Sequence, residues 1–64
     1  MMVGWTPIYA AAQNGHLDVI KYLIEEAKAD PNKATNAGKT PLRTAIILKR
    51  TPVVDYLRSI GAKE

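Results

Sequence analysis

The chain holds one histidine, His16, two residues before Asp18, and one serine, Ser59, near its end. An imidazole near a carboxylate suits general acid–base chemistry. Such a base also needs a pocket and groups that position a substrate. A Ser-His-Asp triad needs its three members within hydrogen-bond reach, and Ser59 lies far along the chain from His16. Glu25, Glu26 and Asp30 form a short acidic cluster at a predicted helix end, the pattern of a solvated face. Cysteine is absent, which removes disulfides, thiolate nucleophiles and zinc-finger ligand sets. A single histidine builds no His-rich metal site. None of the glycines belongs to a phosphate-binding loop followed by Lys-Ser/Thr. No catalytic residue, metal or cofactor is expected.

The remaining chemistry is charge and apolar surface. Lys33, Lys39, Arg43, Lys49 and Arg50 form a basic set within a net charge of +3. Phosphates of a nucleic acid would fit it. Aromatics, however, make up only 6% of the chain, so base-stacking platforms are scarce. Nucleic-acid binding is therefore the weaker use of this set, and a solvated face or an acidic protein partner the stronger. No apolar run approaches the roughly 20 residues that span a bilayer. The start lacks the basic and long apolar regions of a signal peptide. These features suggest an intracellular, cytoplasmic protein without membrane insertion.

The 64 residues allow one domain. Area scaling gives a folded surface of roughly 4,000 Å², with about 60% of the unfolded chain's surface buried. That leaves little stability to spare. The sequence then repeats itself. Thr6-Pro7-Ile8 returns as Thr40-Pro41-Leu42 at an offset of 34, and Ala11, Val19-Ile20 and Tyr22-Leu23 return as Ala45, Val53-Val54 and Tyr56-Leu57. Near the end the offset falls by one, placing an extra residue within Glu25 to Lys28.

Each copy reads as two helices. Thr6 and Thr40 suit N-caps, with Pro7 and Pro41 at first helical positions. Thr51-Pro52 reads the same way. Gly15 suits the left-handed residue after a helix, and Asn14-Gly15 and Gly61 read as stops. Leu17, Ile20, Leu23, Ile24 and Ala27 share one helical face, as do Val53, Val54, Leu57 and Ile60. The pattern predicts helices near 7–14, 17–27, 41–49 and 52–60. Residues 30–40, rich in turn formers and including Gly38, predict an extended, hairpin-like connection.

Gly4 to Ile24 resembles an ankyrin repeat. Thr6-Pro7, Ala11-Ala12, Gly15-His16, Val19-Ile20, Leu23-Ile24, Ala29-Asp30 and Asn32 match the family pattern in register. The resemblance implies an all-α repeat solenoid of two helix-turn-helix units, residues 3–35 and 36–64, joined by a β-hairpin-like loop. It gives His16 a structural hydrogen-bonding role. Tyr9 and Arg43 stand where the family has histidine, Lys28 where it has glycine, and Lys49-Arg50 where it has Gly-His. Arg58 replaces the apolar Ile24, as the polar outer face of a capping unit requires. The chain is accordingly expected to be a piece of a longer array.

The implied function is non-catalytic protein binding through hairpin tips and first helices. Those positions are Met2, Val3, Trp5, Gln13 and Asn14 in the first copy, and Ala34, Asn36, Ala37, Lys39, Ile47 and Leu48 in the second. Ile47 and Leu48 replace polar Gln13 and Asn14. They are either an exposed apolar patch or are repacked inward because Lys49 replaces the glycine stop. A purely structural capping role and weak nucleic-acid binding are the alternatives. An uncovered N-terminal flank suggests pairing of two copies as a dimer.

Overall fold

A computed structural model describes residues 6–64. Met2, Val3 and Trp5 of the expected binding surface lie outside the described residues. The chain forms four helices: α1 Pro7–Asn14, α2 Leu17–Glu25, α3 Pro41–Ile47 and α4 Thr51–Ser59. No strand occurs among the described residues. The total surface is 4143 Å², close to what scaling gives for a compact chain of this size.

The two first helices begin alike. Thr6 accepts a hydrogen bond from the Tyr9 backbone N–H at 3.1 Å, and Thr40 accepts one from Arg43 at 3.2 Å. Pro7 and Pro41 occupy the first helical turn, where a missing N–H leaves nothing unpaired. The helices also end alike. Gly15 has φ 73 and Lys49, at the equivalent position, has φ 58. The following amides, of His16 and Arg50, donate to Ala11 and Ala45. These bonds satisfy carbonyls that a helix end otherwise leaves open.

The second helices start without a side-chain cap. His16 and Arg50 hold the N-cap positions, and neither side chain makes a capping hydrogen bond. Thr51, expected as a cap, is instead the first residue of α4, and Pro52 sits inside the first turn. The tight turn at Lys49 brings the chain into helix one residue earlier than Thr-Pro punctuation suggests. At the other end, α2 stops at Glu25 and Ala27 is exposed. Lys28 takes φ 59, and its ammonium donates to the Glu25 carbonyl at 3.4 Å. The extra residue near Lys28 is thus absorbed as an early, irregular exit. Ile60, expected on the apolar face of α4, follows the helix end and is 39% exposed.

The connection is hairpin-like in one rung. Thr35 N–H donates to the Lys39 carbonyl at 2.9 Å, and Gly38, at φ 79, donates back to Thr35. The buried Thr35 hydroxyl accepts from the amides of Ala37 and Lys39. One threonine therefore closes the loop from inside.

Helix α1 packs on α2 and α3, α3 packs on α4, and α2 packs on α4. The core combines the small Ala11, Ala12 and Ala45 with the larger Ile8, Ile20, Leu42, Val53 and Leu57. Alanines let the first helices approach closely, while branched residues fill the space beneath them. The result is two stacked helix pairs with one shared core.

Candidate functional site

The first helices and the connection carry the surface that the sequence singles out. Ile47 is 62% exposed and Leu48 41%. α3 stops at Ile47, one repeat position earlier than α1 and short of the expected 49, but Lys49 keeps the turn that glycine would make and Ile47 and Leu48 stay exposed. Ala34, Asn36, Ala37 and Lys39 are exposed along the connection. Gln13 is half-buried, and exposed Asn14 donates its amide to the Ala10 carbonyl at 3.0 Å. Arg43 and Ile47 lie four residues apart and are both exposed. They share one face of α3, and exposed Lys39 precedes the Thr40 cap.

Other expected residues serve the frame. Gly15 needs its positive φ, and a Cβ there would come within 3.1 Å of the Arg50 side chain. Arg50 lies across that glycine and donates its Nε–H to the Gln13 carbonyl at 3.0 Å. This basic residue fastens the end of α1 to the start of α4. His16 contributes backbone: its amide donates to Ala11 and its carbonyl accepts from Ile20. Ser59 donates its hydroxyl to Tyr56 of its own helix at 2.6 Å. No cluster of three or more His, Asp or Glu suited to a metal ion stands among the described residues.

Several contacts escape a reading by repeats. Tyr56 donates its hydroxyl to Glu25 at 2.9 Å, and the Lys21 ammonium lies 5.5 Å from the Tyr56 ring centroid. Burial first, then the Glu25 hydrogen bond and its negative charge, raises the Tyr56 pKa above 10.0. The Lys63 amide donates to Asn32 at 2.7 Å, tying the chain's end to the connection. These partners are 31 residues apart. The only sequence signal was the match of Asn32 and Tyr56 to repeat positions.

An apolar cleft of about 220 Å³ opens on the other flank of the first helix pair, lined by Ile8, Leu23, Ala29, Thr6, Pro7, Asp30 and Lys33. The second pair shows what this surface is like when covered. Val53 and Leu57 are 1% and 0% exposed, while their equivalents Val19 and Leu23 are 43% exposed and half-buried.

Stacked, equivalent helix pairs sharing one core define an α-helical repeat protein. The family described as "Ankyrin repeats (3 copies)" matches residues 2–64, and the chain belongs to the ankyrin repeat family. It is 42% identical over 57 residues to the 26S proteasome non-ATPase regulatory subunit 10 of Dictyostelium discoideum, covering 89% of this chain and 25% of that protein. It is 42% identical over 60 residues to the probable 26S proteasome regulatory subunit p28 of Saccharomyces cerevisiae, covering 92% of this chain and 26% of that one. It is also 38% identical over 53 residues to the mitochondrial liver isoform of glutaminase from Rattus norvegicus, covering 83% of this chain and 9% of the enzyme. The chain thus spans about a quarter of the first two relatives. Ankyrin repeats generally mediate protein–protein interaction and are generally non-catalytic, although enzymes such as this glutaminase carry them.

No helix among the described residues is long and apolar enough to cross a membrane.

Proposed function

We propose that this chain is a non-catalytic protein-binding unit that contacts its partner through the connection and the exposed face of α3. The observation that carries the reading is the exposure of Ile47 and Leu48, 62% and 41%, at positions where the first copy has Gln13 and Asn14. Adjacent apolar side chains left in water on a small domain mark an interaction surface. The proposed surface also takes in Ala34, Asn36, Ala37 and Lys39 on the connection and Gln13 and Asn14 on α1, most of them exposed. The family resemblance adds Met2, Val3 and Trp5 as further candidate contacts. An intracellular, cytoplasmic setting is part of this reading; relatives named as proteasome regulatory subunits support it.

The test is chemical cross-linking and capture with the wild-type chain and an Ile47→Ser/Leu48→Ser variant. Circular dichroism confirms that both are folded. Partners retained by the wild type and lost by the variant support the reading. Partners retained equally by both move the binding surface elsewhere.

A further inference from the structure

Charge is segregated along the sequence. Lys33, Lys39, Arg43, Lys49 and Arg50 are the charged residues between Pro31 and Val54, and no Asp or Glu stands in that stretch. It comprises the connection, α3 and the turn into α4. The carboxylates Asp18, Glu25 and Glu26 lie on α2 or at its end, Asp55 lies on α4, and Asp30 and Glu64 lie outside the stretch. Neither α1 nor α3 carries an acid in its first turn. Exposed Arg43 and Ile47 thus share a face of α3 without a carboxylate on its own element, and exposed Lys39 lies just before the helix cap.

Arg43 does not serve the helix that carries it. Arg43 is the third residue of α3 after the Thr40 cap. That is where a capping box places Glu or Gln, to reach back to the cap amide. The positive end of the helix dipole also disfavours a cation there. Helix stability alone would favour a glutamate at this position over Arg43, and the Arg43 side chain is exposed.

We propose that the α3 face binds an acidic protein segment, whose carboxylates meet Lys39 and Arg43 and whose apolar side chains cover Ile47 and Leu48. This rests on the protein-binding reading above and names the chemistry of the partner. A nucleic acid would satisfy the cations but not the apolar pair. A carboxylate-rich, leucine-bearing segment satisfies both.

The probes are fluorescein-labelled peptides of repeated Glu-Glu-Leu, Gln-Gln-Leu and Lys-Lys-Leu, and a short labelled DNA duplex. Anisotropy gives affinity at low and physiological salt, and amide shifts in two-dimensional NMR spectra locate the contact. The Glu-Glu-Leu peptide should bind most tightly, lose affinity with salt and shift the amides of residues 39–49. Arg43→Glu should weaken it by about tenfold while the melting temperature holds or rises, which a merely structural arginine would not do. Leu48→Ser should weaken it by a similar factor. Equal binding of the Gln-Gln-Leu or Lys-Lys-Leu peptide at this face overturns the acidic partner and leaves the protein-binding reading standing. DNA binding as tight as the acidic peptide's and indifferent to Leu48→Ser overturns it in favour of a nucleic acid. Shifts confined to α2 and α4, or no peptide binding, overturn both the proposal and the choice of face.

Discussion

Lys49 holds the left-handed conformation that Gly15 holds one repeat earlier, φ 58 against φ 73. A side chain there crowds its own carbonyl, at a cost of about 1–2 kcal/mol. Lys49→Gly removes that strain but loosens the unfolded chain, which offsets about 0.4–1 kcal/mol. The expected net is a stabilisation of about 0.5–1 kcal/mol, read as a higher urea midpoint with unchanged slope. Gly15→Ala should go the other way, because its Cβ would meet Arg50 as well as an unfavourable φ. The threonines divide similarly. Thr40 caps α3, so Thr40→Val should cost about 1 kcal/mol. Thr51 lies inside α4, so Thr51→Val should leave the midpoint close to that of the wild type. Equal losses at both positions would contradict the capping geometry.

The packing of α2 against α4 depends partly on Tyr56, whose hydroxyl donates to Glu25 and whose ring faces Lys21. The fold favours the neutral phenol, so the folded pKa lies above the ordinary 10.0. The stability this contributes is fully present below the unfolded pKa. It is lost as pH rises through the folded pKa. Thermal melts followed from about pH 9 to pH 11 should show an alkaline loss of stability that Tyr56→Phe reduces. Much of the element pattern was legible beforehand. Duplicated Thr-Pro marked both first helices, and the 34-residue offset pointed to the shared core. The misread ends have local causes: Thr-Pro does not always mean cap then first turn, and α2 unwinds before Lys28. The ties from Arg50 to Gln13, Tyr56 to Glu25 and Lys63 to Asn32 were not legible. They join residues 31 to 37 apart, and periodicity within one helix carries no record of them. The apolar pair at 47 and 48 was visible as a departure from the first copy. Its outward direction depended on the backbone that Lys49 adopts.

At the scale of the molecule the two flanks of the stack differ. Val19 and Leu23 keep water contact that Val53 and Leu57 have lost, while the far flank carries Asp55 and Arg58. Pairing through the first flank would bury apolar surface, and binding to the folded state alone raises apparent stability. The melting temperature should therefore rise with protein concentration, and sedimentation equilibrium should show association. Val19→Ser should reduce both effects more than Asp55→Ser. A melt independent of concentration would mean that two helix pairs suffice alone. The separation of charge has a further consequence. Residues 31–54 hold five basic side chains and no acid, whereas the rest hold four basic and six acidic ones, so +5 opposes −2. The chain therefore divides into a basic and an acidic stretch, and reaching zero net charge near pH 9.5 leaves exposed groups of both signs on its surface. Near that pH it should be held by sulfonate and quaternary-ammonium resins alike, and a modest salt step should release it from both.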